Sequence, residues 1–380
     1  MNFHNVFVIF EGWNKKEMMN LDEIYMKRAI ELAHLGEGYV NPNPLVGAVI
    51  VKDGRIIGEG YHKKFGEAHA EIEAFKSCKE DPKGGTLYVN LEPCSHYGKT
   101  PPCVDVIIKK GIKKVIIGMK DPNPLVAGRG LEILKKANIE VRVGTLEDEC
   151  RNLNEIFIKY ITYKKPFCIL KWASTLDGKI CSSIGDSRWI TGEDSREYVH
   201  LIRNKVSSIM VGVNTILRDN PSLTTRLKDR KGVNPTRIIV DSKGRTPLDA
   251  RIFKEEGDTF IATTSQIEDK KIKEFEKVGA KIIIIPEKGR KVDLQYLVNY
   301  LTKLNIDSIL LEGGGTLNYS ALKEGIVDKV LMFLAPKILG GENSKTPIEG
   351  EGIKYIKDCI ELKDLSIKNF KEDILIEGFI

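Results

Sequence analysis

His69-Ala70-Glu71 in GEAHAEIEAF (66–75), with Cys94 and Cys103 in NLEPCSHYGKTPPC (90–103), is the stretch whose reading decides the first half of this chain. Residues 66–75 predict the first turns of an amphipathic helix, with Ala70, Ile72, Ala74 and Phe75 available for packing. GGTLYVNLEP (84–93) places a glycine pair before an apolar, β-branched run, so Cys94 is expected just past the end of a strand. Pro101 and Pro102 precede Cys103, and VDVIIKKG (104–111) ends in a lysine pair and Gly111. Cys103 is therefore expected to open a second helix. His69 and Cys103 both fall near helix N-termini, where unsatisfied N–H groups favour negative charge and acidify thiols.

One His and two Cys leave the fourth tetrahedral position open, the arrangement of a catalytic rather than a structural zinc. Two thiolates neutralise Zn²⁺ more fully than three imidazoles, so the metal acidifies its water less and needs a base. Glu71 is that base. Nucleobase deaminases carry HxE followed by PCxxC, with a non-ligand Glu moving the protons. HAE and Pro93–Cys94 match this pattern, whereas eight residues separate Cys94 from Cys103 where two are common. A lone helical His or a cytosolic Cys is commonly packed and inert; all four residues in this order favour the metal. His34, His96 and His200 read as core or surface residues.

Outward from this core, LDEIYMKRAIELAHLG (21–36) predicts a helix, and VGAVIVKDGRIIGEGY (46–61) a strand. After the two zinc helices come a strand in KKVIIGMKD (113–121), a helix in GLEILKKANI (130–139) and a short strand in EVRVG (140–144). Such alternation predicts a sheet covered by helices on both sides. NPNPLVGAV (41–49) puts Asn43 in a proline-rigid turn before a buried strand, and DPNPLVAGRG (121–130) reads as a turn and helix start rather than a repeat. LEDECRNLNEIFIKYITYK (146–164) reads as one connecting helix, and the domain boundary is placed between Lys165 and Pro166.

Beyond it a second βα series starts, with strands in FCILKWAST (167–175), SSIMVGVNT (207–215), TRIIVDS (236–242), DTFIATT (258–264), AKIIIIP (280–286), DSILLEGG (307–314) and KVLMFLAPK (329–337). Helical segments such as GEDSREYVHLIRNK (192–205) separate them. Most are continuous apolar runs, as in a sheet buried on both faces. No GxGxxG follows a strand. Gly313, Gly314 and Gly315 instead follow a strand and open a helix, letting backbone N–H groups approach an anion; such a turn also occurs without any ligand.

The 380 residues suffice for two domains, and a hydrophobic content of 42% supports ordinary cores. The net charge of +6 is spread as lysine pairs among acids, unlike the concentrated basic face of a nucleic-acid binder. Seven cysteines form an odd set with no regular framework, so a cytoplasmic protein is expected. Residues 1–20 contain an apolar run too short for a signal peptide or membrane span, and no membrane partner is expected. They read as an extension or as an upstream start, with Met18 or Met19 the alternative.

The motifs NPNPLVGAV, HAE and LEPCSHYGKTPPC closely resemble the bifunctional riboflavin-biosynthesis deaminase/reductase family. In the second half KWASTLDGKI, GDSRWITG, VGVNTILRDNPSLTTR and LEGGGTLN carry the same resemblance, from near Leu21 to the C-terminus. It implies an N-terminal cytidine-deaminase-like three-layer α/β/α domain (21–165) followed by a dihydrofolate-reductase-like α/β domain (166–380). It also implies Zn²⁺ on His69, Cys94 and Cys103, with Glu71 catalytic. Asn43 resembles a pyrimidine contact; His62 and Lys99 match such positions too, or are core and surface residues.

NADPH is the implied cofactor of the second half, contacted by Ala173, Trp189, Thr215, Asp219, Ser242 and the loop Gly314, Gly315, Thr316, Leu317, Asn318, Tyr319, Ser320. Ser187, Arg203, Leu223, Arg226 and Glu312 resemble contacts to the ribose-phosphate substrate; Arg forks suit phosphate oxygens, and Ser or Glu suits sugar hydroxyls. Lys171 either meets substrate or caps the sheet edge.

The expected activity is hydrolytic deamination of 2,5-diamino-6-(5-phosphoribosylamino)pyrimidin-4-one. NADPH-dependent reduction of the ribose of the uracil product to ribityl follows. A homo-oligomer acting on this phosphoribosylated pyrimidine, without nucleic acid, is expected. The alternative is a polynucleotide-editing zinc deaminase whose second half binds nucleic acid. It would need a basic channel with stacking aromatics, and 7% aromatic content with dispersed lysines does not supply one. An inactive zinc scaffold would have no use for Glu71.

Overall fold

A computed structural model describes residues 20–97, 101–124 and 126–380. The expectation for residues 1–20 therefore lies outside the described residues except at Asn20. That residue caps the first helix in a capping box, accepting from Glu23 N at 3.0 Å while the Glu23 carboxylate accepts from Asn20 N at 3.1 Å.

In chain order the first half contains α1 (Leu21–His34), β1 (Gly47–Lys52), β2 (Arg55–Tyr61), α2 (Ala70–Lys76), β3 (Thr86–Leu91), α3 (Cys103–Lys109), β4 (Lys114–Met119), α4 (Arg129–Lys136), β5 (Glu140–Val143), α5 (Glu147–Leu153) and α6 (Glu155–Tyr163). Its five strands order as β2-β1-β3-β4-β5. The first two pairings are antiparallel and the last two parallel. Strand alternation sends Val49, Tyr88 and Ile116 toward Met26 and Ala29 of α1 and Cys150 of α5. Ile50, Val89 and Ile117 face α2, α3 and α4. This is the three-layer sandwich expected.

Two local expectations are corrected. Residues 46–61 form an antiparallel hairpin rather than one strand, because Asp53 and Gly54 take positive φ (48° and 72°) and turn the chain. Residues 146–164 form two helices broken at Asn154, whose side chain leaves the helical pattern to bond the Leu45 backbone on both sides, N–H and C=O. Gly47 is where β1 meets α1: a Cβ there would lie 1.9 Å from the Ala29 carbonyl oxygen.

The second half contains β6 (Phe167–Thr175), α7 (Glu193–Lys205), β7 (Ser208–Gly212), α8 (Val213–Asp219), β8 (Thr236–Val240), β9 (Thr259–Thr263), α9 (Asp269–Lys277), β10 (Lys281–Ile284), β11 (Glu287–Lys288), β12 (Lys291–Val292), α10 (Leu294–Lys303), β13 (Ser308–Leu311), α11 (Gly315–Lys323), β14 (Lys329–Ala335), β15 (Lys363–Phe370) and β16 (Asp373–Phe379). Nine strands order as β10-β9-β8-β7-β13-β6-β14-β16-β15. From β10 to β14 every pairing is parallel; β16 and β15 add antiparallel.

Helices α10 and α11 cover one face, through Leu297, Leu301, Leu317 and Ala321. On the other, Val199 and Ile202 of α7, Ile216 of α8 and Phe275 of α9 pack. The C-terminal hairpin was not expected from the sequence, since the outer strand β15 has Leu365 and Ile367 exposed and shows no buried face. Residues 213–215, expected to extend a strand, begin α8 instead.

Candidate deaminase and reductase sites

The side chain of His69 sits at the N-cap of α2, Cys103 begins α3, and Cys94 lies three residues beyond β3. Adjacent strands and the two helices packed on them bring these separated positions to one point. His69 Nδ1 lies 3.4 Å from Cys94 Sγ and 3.3 Å from Cys103 Sγ. Each of the three offers one ligand atom, all within 4.8 Å of one another, the only such cluster among the described residues. One imidazole nitrogen and two sulfurs converging at that spacing fit a tetrahedral zinc.

The three side chains share protons among themselves: the Cys103 thiol and backbone N–H, with the His69 ring, lower the Cys94 thiol, Cys94 and burial raise the Cys103 thiol, and Cys94 raises His69 to about 9. A zinc ion would displace these protons, since it binds thiolates and a neutral imidazole. Burial, then the Cys94 charge, raise the Glu71 carboxyl. Glu71 is 3% exposed and hydrogen-bonds with Cys103 rather than completing the ligand cluster. A buried carboxylate beside the metal position, outside the ligand set, is placed to take and return a proton.

His62 is buried, its ring edge-on to that of His69 with centroids 5.7 Å apart. Its Nδ1–H donates to the Ala68 carbonyl at 3.1 Å, leaving Nε2 to accept from the Asn43 amide at 3.1 Å. Burial lowers its pKa, consistent with this neutral tautomer. Asn43 and His62 are thus brought together beside the metal position. Lys99 lies outside the described residues. His96 is not in the ligand cluster.

In the second half, Arg203 from α7 and Glu312 from the end of β13 form a bidentate pair, both N···O distances 2.7 Å. A third Arg203 donor reaches the Thr224 carbonyl at 3.0 Å. The guanidinium fork is therefore occupied by protein groups. Arg226 is exposed and donates from Nη1 to Thr224 Oγ1 at 3.0 Å, while its backbone N–H donates to His200 Nδ1 at 3.3 Å. Burial, then Arg203 and Arg226, depress His200 to about 4, so it stands neutral among cations. Lys171 lies on β6, between β13 and β14, so the sheet-edge reading fails. It interacts electrostatically with Glu312 and Arg203.

Gly314 caps α11, and a Cβ on it would come within 3.6 Å of Thr215 Oγ1. Thr215 and Asp219 both lie on α8, Ala173 on β6, and Ser242 two residues past β8, all following or forming central strands. Trp189 is 64% exposed, with the Arg196 guanidinium 4.5 Å from its ring centroid and Lys337 Nζ donating to its carbonyl. Of the α11 residues, Leu317 is in the core and Asn318 donates to the Pro347 carbonyl at 2.8 Å. Tyr319 O–H donates to Gly352 O at 3.3 Å and Ser320 Oγ to Thr316 O at 3.0 Å. Gly315 and Thr316 lie in the first turn of α11. Ser187 is half-buried between β6 and α7. Leu223 is in the core at φ 53°.

Sequence reasoning missed Glu92, whose carboxylate accepts the backbone N–H groups of Asp121, Gly128 and Gly130 at 3.0–3.1 Å and fixes the loop behind Cys94. Its place in LEPC was the available signal. Asn90 and Asn154, which bind Leu45, offered none.

Residues 19–119 match the cytidine and deoxycytidylate deaminase zinc-binding region, and residues 166–376 the RibD C-terminal domain. The chain is 50% identical over 364 residues to the riboflavin biosynthesis protein RibD of Actinobacillus pleuropneumoniae, covering 95% of this chain and 96% of that protein. It is 43% identical over 357 residues to RibD of Aquifex aeolicus, covering 94% and 98%. A crystal structure from Thermotoga maritima is described as a diaminohydroxyphosphoribosylaminopyrimidine deaminase/5-amino-6-(5-phosphoribosylamino)uracil reductase. It superposes with a TM-score of 0.84 at 42% identity, covering 94% of this chain and 98% of that one. By sequence along nearly its whole length and by fold, the chain belongs to the RibD family of riboflavin biosynthesis proteins.

Proposed function

We infer that this protein catalyses two steps of riboflavin biosynthesis, zinc-dependent deamination of the phosphoribosylated diaminopyrimidinone and NADPH-dependent reduction of the ribose of the product. Family membership carries the two activities; the convergence of His69, Cys94 and Cys103 beside buried Glu71 is the observation that supports the site assigned to the first. We place the division between the halves after Lys165. Helix α6 already engages the second half there, through Ile156 in its core and the Glu155–Lys329 pair at 3.0 Å.

Zinc, when bound, supplies the Lewis acidity that makes water a nucleophile at neutral pH. Glu71 removes a proton from the attacking water and returns it to the leaving amine, and its buried place beside the ligand cluster suits both transfers. Asn43 and His62 orient the pyrimidine beside it. Lys99 belongs to the same proposal.

NADPH supplies the hydride in the second step, so the protein's work is positioning. The first turn of α11, from Gly314 through Gly315 and Thr316, offers N–H groups to the cofactor phosphates. Ala173, Trp189, Thr215, Asp219 and Ser242 are assigned to the rest of the cofactor, together with Leu317, Asn318, Tyr319 and Ser320, whose side chains are largely engaged by protein. Arg226, Ser187, Leu223 and Glu312 are assigned to the ribose-phosphate substrate. Arg203 acts by holding Glu312 as well as by its charge.

A homo-oligomer is proposed, supported by the exposed apolar edge of β15. A cytoplasmic location without nucleic-acid or membrane partners is proposed too. All seven cysteines are free, and no described helix is long and apolar enough to cross a membrane. Incubating zinc-loaded protein with the pyrimidine nucleotide, with and without NADPH, and following product mass tests the function. Deaminated product alone without NADPH, and ribityl product with it, are expected; an unchanged substrate mass overturns the reading.

A further inference from the structure

The turn that presents Asn43 is anchored at both ends. At Leu45, the backbone N–H donates to Asn154 Oδ1 at 2.8 Å and the carbonyl accepts from Asn90 and Asn154. At Asn41, the amide Nδ2 donates to both carboxylate oxygens of Asp307, at 2.8 and 3.1 Å. The first anchor belongs to the deaminase half. The second is supplied by the reductase half.

Asp307 is rigidly seated there. It is 1% exposed and immediately precedes β13; its carbonyl accepts from Phe167 N at 2.7 Å, its N–H donates to Ser207 Oγ, and its Oδ1 accepts from Ser308 Oγ at 2.6 Å. A carboxylate removed from water needs such donors, and Asn41 is the one that comes from the other half. The chains approach closely beside it. Asn204 Nδ2 donates to the Glu37 carbonyl at 3.2 Å, and Gly38 takes φ +82° with its Cβ position only 2.4 Å from Asn204 O.

Packing buries the flanks of the turn, Val40 and Leu45, against Ala33 and Leu153, whereas residues 41–44 are only half-buried. A narrow cleft of about 20 Å³ lies beside them, lined by Asn41, Asn43, Leu153, Asn154, Lys205 and Asp307. Across these half-buried residues, the directional bonds at Asn41 and Leu45 set where Asn43 lies relative to His62.

We propose that Asp307, a residue of the reductase half, is a positioning residue of the deaminase, holding Asn41 so that the turn presents Asn43 to His62 and the pyrimidine. The proposal rests on the reading of Asn43 as a substrate contact. It makes the two halves asymmetric: deamination relies on a residue beyond the boundary, whereas Arg203, Arg226 and Glu312 bond only within their own half.

The test is steady-state deamination by the full-length, zinc-loaded protein and its Asp307→Ala, Asn41→Ala, Asp307→Asn and Asn43→Ala variants. Losing a hydrogen bond to a charged group should raise the deamination KM on the order of tenfold in Asp307→Ala and Asn41→Ala. Because Glu71 and the metal ligands are untouched, kcat should stay within about twofold and zinc content should be unchanged. Asp307→Asn keeps an oxygen that accepts from Asn41 and should stay near the parent KM. The double Asp307→Ala/Asn41→Ala variant should be no worse than either single one, and Asn41→Ala should leave the KM for NADPH unchanged. If Asn43→Ala raises KM while Asp307→Ala and Asn41→Ala do not, the link is overturned. If Asn43→Ala leaves KM unchanged, the underlying reading of Asn43 fails instead. A parallel fall of kcat and zinc content without a KM change would make the contact merely structural and also overturn the proposal. Should Asp307→Ala not fold, Asn41→Ala decides alone.

Discussion

Arg203 and Glu312 face each other as a two-bond pair, Nε to Oε1 and Nη2 to Oε2, each 2.7 Å, largely shielded from solvent between α7 and the end of β13. Burial alone would raise the Glu312 carboxyl, but Arg203 and Lys171 overcome it and hold it down at about 2. A charge pair in this position is costly to break from either side, because the survivor is left buried and unpaired.

Glu312→Gln should therefore destabilise the protein by about 3–5 kcal/mol at neutral pH. The native pKa lies below the ordinary glutamate value, so the pair's stabilisation is complete above about 4.3 and is lost as pH falls through about 2. Unfolding midpoints measured against pH should show a constant gap between parent and variant from pH 5 to 8, in rough terms, and convergence as the parent's carboxyl protonates. A gap that persists unchanged to low pH would show that Glu312 is not ionised through the pair.

Arg226→Ala and Arg203→Ala should part company. Arg226 is exposed with donors to spare, so its loss should raise the KM for the deaminated substrate by about tenfold or more, with little effect on the KM for NADPH or on thermal stability. Arg203→Ala should weaken substrate binding too, but with a lowered unfolding temperature, since it strands Glu312. Loss of NADPH affinity in both, with substrate affinity intact, would reverse the assignment of the two subsites.

Glu71→Gln should keep zinc, because the ligand cluster is complete without Glu71, and lose deamination by on the order of 10²–10⁴-fold. Metal analysis alongside the rate decides this. Parental turnover by a zinc-loaded variant would remove Glu71 from the mechanism.

Cys94→Ser and Cys103→Ser should each lose zinc and deamination together, whereas substitutions of Cys78, Cys150, Cys168, Cys181 and Cys359 should leave the metal in place. A chelator should abolish deamination in the full chain while reduction of supplied deaminated substrate continues. Full zinc occupancy in Cys103→Ser would point to another ligand in the loop, His96 first.

The local chemistry of this protein was legible in its sequence. HAE at the start of a helical pattern, PC after a strand pattern and the proline-led Cys103 gave the order of the metal site, because helix and strand periods and helix-start signals are properties of a few neighbouring residues. The alternation of apolar runs likewise gave both sheets, though not the C-terminal hairpin, whose outer strand buries no face to mark it. What only the tertiary structure decided is which distant groups complete each other. Asn154 breaks a helix to reach Leu45, Arg203 spends its fork on Glu312, and Asp307 crosses to Asn41, contacts separated by 109, 109 and 266 positions. No period or motif encodes such pairs, since a buried polar side chain takes whichever complementary donor or acceptor the packing of strands and helices brings within about 3 Å.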